Sequence, residues 1–270
     1  MINQELLRKR VLEIGGIEES MLDRIEREVM CIAGRIELLP KSDNNIKTIE
    51  LRLQNIITTM KNEKTTKLNN KLISELLYSH TRRVMKTASK IMKYMEPDVL
   101  ASINKTNLMI AIIGHDIGKL FKIKQHPIYS VFIMNYVMRD LDINEEDVWE
   151  IFDAILVHAK KKESIAKELN LIDMILMDAD LMENMSVEYR VVKLNQDNYI
   201  INVTKNKTKV LYDSVINELI GIKNVYIGNY PNIRSVYGRL YFDDTIKSYD
   251  EFIEKIKEDT TSIICSDIEI

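Results

Sequence analysis

The chain has 270 residues, of which 46% are hydrophobic and 29% are charged, and its formal net charge is −3. This balance is typical of a globular protein, and it excludes both a disordered chain and a strongly basic nucleic-acid-binding protein. The longest uninterrupted apolar run, residues 108–113, is far shorter than the roughly 20 residues that span a bilayer. Residues 1–10 also lack the apolar segment of a signal peptide, so we expect a cytoplasmic protein with no membrane partner.

Three regions follow one another along the chain. Residues 1–68 carry two or three amphipathic helical patterns, broken near Gly15 and Gly16 and again at 39–45, and form an N-terminal helical extension. Residues 69–191 are also helical in pattern and hold all four histidines. Residues 192–270 predict a small α/β appendage, because 198–204 and 208–212 have the composition of strands joined by a turn at 205–207.

Further strands are expected around the tyrosines of this last region, followed by a helix at 249–258 and a possible final strand at 262–265. The tyrosines concerned are Tyr226, Tyr230, Tyr237 and Tyr241. Strand-type aromatic packing is the commoner use of such residues, and stacking on bases or other rings is the alternative.

The four histidines each lie on or beside an apolar helical pattern. His80 falls within a stripe of apolar residues at helical spacing, so its side chain is expected to point inward. His115 and Asp116 follow the apolar run at 108–113 after one glycine, Gly114, at the end of a buried helix. His126 precedes a proline, which favours the first turn of a helix, and His158 ends an apolar stripe. The four imidazoles are therefore predicted to face one interior.

A metal site is the better interpretation of this group of side chains. One histidine on an apolar stripe is most often a hydrogen-bonded core residue, but four buried imidazoles beside a carboxylate are costly unless a cation compensates. Imidazole and carboxylate without thiolate favour manganese, iron, cobalt, nickel or zinc over calcium or a site for magnesium alone. One more carboxylate is expected on a later helix, where helical periodicity favours Asp178, with Asp180 as the alternative.

The order of these residues resembles a known family. The candidate ligands follow one another as His80, His115, Asp116, His126, His158 and one of the two later aspartates. This order resembles the six-ligand H…HD…H…H…D signature of the HD superfamily of metal-dependent phosphohydrolases, and the string HDIGK at 115–119 is similar to the central string of that family. The resemblance covers about residues 70–190 and implies a mainly α fold, an HD-domain helical core between the N-terminal extension and the C-terminal α/β appendage.

The resemblance also bears on the choice between the two aspartates. Ala179 and Asp180 are similar to the Ala-Asp helix of guanosine tetraphosphate hydrolases, in which the aspartate binds metal, and this favours Asp180. The doubled histidine of HD-GYP cyclic-di-GMP phosphodiesterases is absent, because His158 is followed by Ala159. That particular activity is therefore not assigned.

The family implies a role for each candidate ligand. Asp116 would bridge two divalent ions, Mn2+, Fe2+, Co2+, Ni2+ or Mg2+. One ion would be held by His80, His115 and Asp180, and the other by His126 and His158. The implied activity is hydrolysis of phosphoester bonds in nucleotides or nucleotide derivatives by a water that the two metals activate.

Cationic residues near the candidate ligands extend this picture. Lys119, one turn after the His-Asp pair, is a candidate catalytic residue with Asp116 and a candidate contact for the substrate phosphate. Arg83 and Lys160 are further substrate-binding candidates, and the sequence places other lysines and arginines nearby. Because such cations follow three of the candidate ligands along the chain, they predict a basic rim that attracts small phosphorylated substrates.

Other functions are also compatible with this order of ligands. A nuclease that acts on single-stranded nucleic acid uses the same six-ligand domain, and a mixed-valent di-iron oxygenase resembling the inositol oxygenase branch shares the ligand order. A non-catalytic regulator with a structural metal is the least favoured reading. The helices at 3–35 are amphipathic enough to pair, so a homo-oligomer is possible.

Overall fold

Helices make up the regular structure of the chain. A computed structural model describes residues 2–66, 68–160, 165, 167–187, 190 and 208–258, and within this part no strand occurs. The α-helices include α1 (Gln4–Gly15), α2 (Glu19–Ala33), α3 (Asn45–Asn62), α4 (Asn70–Ile73), α5 (His80–Ile91), α6 (Pro97–Ser102), α7 (Lys105–Gly114), α8 (His126–Val137), α9 (Glu145–Val157), α10 (Leu171–Met182), α11 (Thr208–Asn229) and α12 (Val236–Glu258). No helix in these described ranges has the length and apolar character that crossing a membrane requires.

Asparagine side chains begin half of these helices. Each accepts a hydrogen bond from a backbone N–H two or three residues further on, which satisfies one of the free donors of the first turn. The residues are Asn3, Asn44, Asn69, Asn104, Asn144 and Asn170. Asn170 and Asp173 form a reciprocal capping box at the start of α10.

The N-terminal helices pack directly on the helices that carry the histidines. Arg10 of α1 makes a two-point ion pair with Asp153 of α9, and the Tyr129 hydroxyl of α8 donates to Glu28 of α2. Arg52 of α3, which is 1% exposed, donates to the carbonyl oxygens of Leu39 and Val137 and pairs with Asp140. The expected helices and the breaks between them are confirmed, and the extension forms part of the same packed body.

Three of the helices around the histidines are largely buried. Most side chains of α7, α8 and α9 are buried, and α5 and α10 lie against each other beside them. Short turns link these elements: a π-helical turn (Ser74–Ser79) precedes α5, and a 3₁₀ turn (Ile117–Leu120) follows α7. The mainly helical fold is as predicted.

The C-terminal region differs from the prediction. Residues 208–212 lie at the start of helix α11, and the tyrosines at 226, 230, 237 and 241 lie on α11, on a 3₁₀ turn and on α12, so the predicted strands there are wrong. The expected helix at 249–258 is the second half of α12. The strands expected at 198–204 and 262–265 lie outside the described residues. Helical packing prevails because β-propensity is weak and depends on the packing environment.

Candidate metal centre

Six side chains meet where several helices begin or end. His80 is the first residue of α5 and follows the π-helical turn, while His126 is the first residue of α8. His115 and His158 directly follow the last residues of α7 and α9. Asp116 follows His115 along the chain. The other carboxylate, Asp180, lies in the last turn of α10. All four histidines and Asp116 are at most 8% exposed.

A close backbone approach fixes the turn that carries His115 and Asp116. The Ser130 hydroxyl of α8 donates to the carbonyl oxygen of His115 and accepts from the N–H of Gly118, at 2.7 and 2.9 Å. A Cβ atom at Gly118 would lie 2.0 Å from the carbonyl oxygen of His126, so only glycine fits. The turn that carries His115 and Asp116 is therefore held directly against the start of α8. This contact sets the position of His126 relative to Asp116.

The two carboxylate oxygens of Asp116 face two separate groups of ligands. Oδ2 lies 3.1 Å from Nε2 of His80 and 3.5 Å from Nε2 of His115. Oδ1 lies 3.1 Å from Nε2 of His126 and 3.8 Å from Nε2 of His158. The carboxylate thus stands between two imidazole pairs, which is the placement of a bridging ligand.

The second carboxylate of the centre, Asp180, completes the first group. Oδ1 of Asp180 is 3.0 Å from Nε2 of His80 and 3.8 Å from Nε2 of His115. Within each pair the imidazole nitrogens also approach one another, at 3.1 Å for His80 and His115 and at 3.0 Å for His126 and His158. In the described part of the chain, every cluster of three or more possible ligand atoms is drawn from these six residues.

The hydrogen bonds of the outer ring nitrogens fix the tautomers. Nδ1 of His115, His126 and His158 lies 2.6 to 2.7 Å from the backbone carbonyl oxygen three residues earlier in each case. A carbonyl oxygen only accepts, so each Nδ1 carries the hydrogen. Each Nε2 therefore turns a lone pair toward the centre, as a metal-binding histidine does.

This donor set fits metal ions. Lone pairs on Nε2 of His126 and His158 face each other and face the buried Oδ1 of Asp116, which has no hydrogen-bond donor among the described residues. Acceptors opposite acceptors in a buried site repel one another unless a cation lies between them. The same holds for His115 beside Asp116 and Asp180, so both groups match the chemistry of a divalent ion.

The electrostatics of the first group also favour a cation. Burial lowers the pKa of His80, but the carboxylates of Asp116, Asp180 and Glu183 outweigh it and raise this pKa to about 11. Burial raises the pKa of Asp116 and of Asp180, yet the surrounding imidazoles bring both well below the ordinary value. The position between these side chains therefore stabilises positive charge strongly.

The structure separates the two aspartates of α10. Asp180 points to the imidazoles, whereas Asp178, which is fully buried, points away from them to the start of α12. It accepts hydrogen bonds from the backbone N–H groups of Arg234 and Ser235 and from the Ser235 hydroxyl. Helical periodicity correctly predicts that Asp178 is buried. Its hydrogen-bond partners, however, lie at the start of α12 and not at the metal centre, because both faces of α10 are covered.

Glu183 is a residue of the centre that the sequence analysis missed. Its Oε1 lies 3.3 Å from Nδ1 of His80, and its Oε2 accepts from Nε of Arg83. Glu183 therefore takes the place that a backbone carbonyl has for the other three histidines, and orients His80. Glu183 follows Asp180 by three residues and therefore lies on the same helical face, and this spacing is the signal that could have identified it.

The candidate substrate-binding cations have different surroundings. The Lys119 ammonium pairs with Oδ2 of Asp116 and lies at the centre itself. Arg83 pairs with Glu75 and Glu183, and Lys160 donates to backbone carbonyl oxygens at the end of α1. Of the three, Lys119 is the one that the structure brings to the ligands.

A cleft opens beside Asp116 and is called the α3 cleft here. It has a volume of about 220 Å³ and lies between α3 and the segment that runs from the π-helical turn into α5. Its lining includes Glu50, Gln54 and Ile57 from α3, together with Tyr78, Arg82 and Asp116. The centre is therefore reached from this side of the molecule.

The helical core places one aspartate, Asp116, between two pairs of histidines. This arrangement is typical of proteins with a histidine–aspartate metal centre. Residues 77–185 match the family model of the HD domain. This part of the chain is therefore an HD domain, a domain found in a superfamily of metal-dependent hydrolases. Comparison with curated proteins and with solved structures gave no match.

Proposed function

We propose that the protein is a metal-dependent phosphohydrolase or phosphodiesterase that acts on nucleotides or nucleotide derivatives. The observation that carries the proposal is the position of Asp116, whose two oxygens each face a different imidazole pair at 3.1 Å or more. Such an arrangement suits two ions rather than one, and two-metal sites are the usual means of hydrolysing phosphoesters.

Each group of ligands would hold one ion. His80, His115 and Asp180 would hold the first, His126 and His158 the second, with Asp116 shared between them. When bound, two divalent ions supply a water of lowered pKa and neutralise charge on the phosphoryl oxygens. Manganese, iron, cobalt, nickel and magnesium are the candidate ions for imidazole and carboxylate ligands.

The protein's own side chains would bind and orient the substrate. Lys119 is placed to contact a phosphoryl oxygen, because its ammonium already lies on the Asp116 carboxylate and its side chain is 17% exposed. A fixed positive charge at that point stabilises negative charge as it develops on phosphorus. Arg83 and Lys160 would act at the edge of the site, Arg83 chiefly through its hold on Glu183.

The test is hydrolysis of a mixed panel by the full chain with added Mn2+. The panel contains mononucleotides, cyclic dinucleotides and a single-stranded oligonucleotide, and the control is Asp116→Ala. Turnover of at least one member that disappears in the variant supports the proposal and identifies the substrate class. Turnover of the oligonucleotide alone would make the protein a nuclease, and bound iron with oxygen consumption but no hydrolysis would replace the proposal with an oxygenase.

We also propose the division of the chain into an extension at 1–68, the hydrolase core at 69–191 and an appendage at 192–270. The appendage rests on the core through the hydrogen bonds of Asp178 and through the hydroxyl of Tyr226, which donates to the carbonyl oxygen of Asn184. Removing 192–270 should change substrate preference more than metal content if the appendage contributes to selectivity. An unchanged preference in a folded protein would refute that role.

A further inference from the structure

The wall of the α3 cleft comes from outside the part of the chain that matches the HD domain. Glu50, Leu53, Gln54 and Ile57 all belong to α3, whereas the matching residues begin at 77. The opposite wall and the floor belong to the domain itself and include Asp116. A molecule in this cleft therefore touches both the metal centre and a helix that lies outside the HD-domain match.

The size of the cleft limits what it holds. Its volume of about 220 Å³ lies below the roughly 300–1,000 Å³ of sites that enclose drug-sized ligands. One ring system fits this space, with the rest of a ligand extending along the side where Asp116 lies.

The lining matches a flat polar ring. Buried aliphatic side chains of Leu53, Ile57 and Ile117 offer an apolar surface, and the Tyr78 ring and the Met85 thioether flank it. Aromatic and thioether groups pack favourably on the faces of heterocycles. This part of the cleft therefore suits the faces of a ring rather than a phosphate.

The polar groups at the opening are available to a ligand. Glu50 and Gln54 are exposed, and neither their side chains nor the Arg82 guanidinium form a hydrogen bond or an ion pair with another residue that the structure describes. The Glu50 carboxylate only accepts hydrogen bonds, while the Gln54 amide both donates and accepts. The edge of a nucleobase carries this same mixture of N–H donors and acceptors.

We propose that the α3 cleft binds the base of a nucleotide whose phosphate lies at the metal centre, with Glu50 and Gln54 recognising the edge of the base. The inference rests on the proposed hydrolase function for the position of the phosphate. It assigns the recognition of the base to the N-terminal extension. Glu50 favours bases that present an amino or imino N–H, and its negative charge keeps further phosphate groups away from the ring.

The experiment measures binding of nucleosides, which lack a phosphate and need no turnover. Adenosine, guanosine, cytidine and uridine are titrated calorimetrically into the full chain loaded with Mn2+. At least one should bind, and Glu50→Gln should weaken its binding about 10-fold and Gln54→Leu about 5-fold, as expected for single hydrogen bonds to a charged and to a neutral partner. Glu37→Gln, a matched change at an exposed glutamate outside the cleft, should leave binding unchanged.

A second measurement separates this inference from the proposed function. Hydrolysis of bis(p-nitrophenyl) phosphate, which has no base, is measured for the wild type and for Glu37→Gln, and both should turn over this ester with the same kcat and KM. Failure of all four nucleosides to bind, or binding that neither substitution weakens, overturns the inference even if the ester is hydrolysed. Absence of ester hydrolysis in the wild type counts against the proposed function and leaves the binding result to be judged by itself.

Discussion

The replacement Asp178→Ala tests whether this buried carboxylate joins the C-terminal helices to the core. Asp178 is fully buried and accepts three hydrogen bonds: from the N–H of Arg234 at 2.6 Å, from the N–H of Ser235 at 2.9 Å and from the Ser235 hydroxyl at 2.6 Å. The Ser235 hydroxyl in turn accepts from the N–H of Gly238 in the first turn of α12. Alanine removes the acceptor for all three donors.

The expected loss in the free energy of unfolding is about 3 kcal/mol. Each donor that is left without an acceptor costs roughly 1–3 kcal/mol. We expect the low end of the sum for three donors, because burial disfavours the charged carboxylate and raises its pKa, which offsets part of what the hydrogen bonds contribute. Metal content should not change, since Asp180 and not Asp178 faces the imidazoles. Urea unfolding at several protein concentrations gives the first quantity, and atomic emission spectroscopy gives the second.

A glycine beside the carboxylate provides a sharper control. A Cβ atom at Gly238 would lie 2.3 Å from Oδ2 of Asp178, whereas at Gly221, on α11, nothing lies within 4 Å. Gly238→Ala should destabilise the wild type more than the Asp178→Ala protein, because the contact with the carboxylate is then gone while a contact of 2.9 Å with Cγ2 of Ile233 remains. Gly221→Ala should stabilise both equally. Loss of a metal ion in Asp178→Ala, or equal effects of Gly238→Ala in both backgrounds, would refute the reasoning.

Two further substitutions test side chains beside the centre, and a third tests an ion pair that holds α3 against the core. Glu183→Gln should weaken Mn2+ binding about 10-fold, because it removes the charge that orients His80; an unchanged dissociation constant contradicts this. Lys119→Met should lower kcat about 100-fold with both ions retained, and a change in metal content alone would argue against a substrate contact. The Arg52 guanidinium holds the pKa of Asp140 below its ordinary value, so this pair stabilises the fold above pH about 3.9 and is lost as the pH falls through the lowered pKa. Asp140→Asn should therefore cost less than about 1 kcal/mol at pH 7, since Asp140 is half exposed, and nothing in acid; a cost that grows in acid would contradict the sign.

Local sequence patterns were sufficient for the helical core. The apolar stripe around His80 and the proline after His126 each specify a helix and a face, because periodicity and fixed proline geometry act within a few residues. The convergence of the imidazoles follows from those faces. Their hydrogen bonds to carbonyl oxygens and the bridging position of Asp116 depend on contacts between distant segments, which no local pattern contains.

The failures of sequence reasoning lie where tertiary contacts decide. Asp178 and Asp180 are two residues apart on α10, and periodicity favours the more buried one as a ligand; it does not show that a second buried face receives α12. Residues 208–212 have strand-like composition, yet they begin a long helix that packs on α12. In both cases the deciding partner is a helix near the end of the chain.

The number of Mn2+ ions bound per chain tests the central claim most directly. Equilibrium dialysis of the wild type should give two ions per chain. His126→Ala combined with His158→Ala should give one, because the group formed by His80, His115 and Asp180 stays intact. A wild-type chain that binds a single ion at saturation, or a double variant that still binds two, would contradict the assignment of two ions bridged by Asp116.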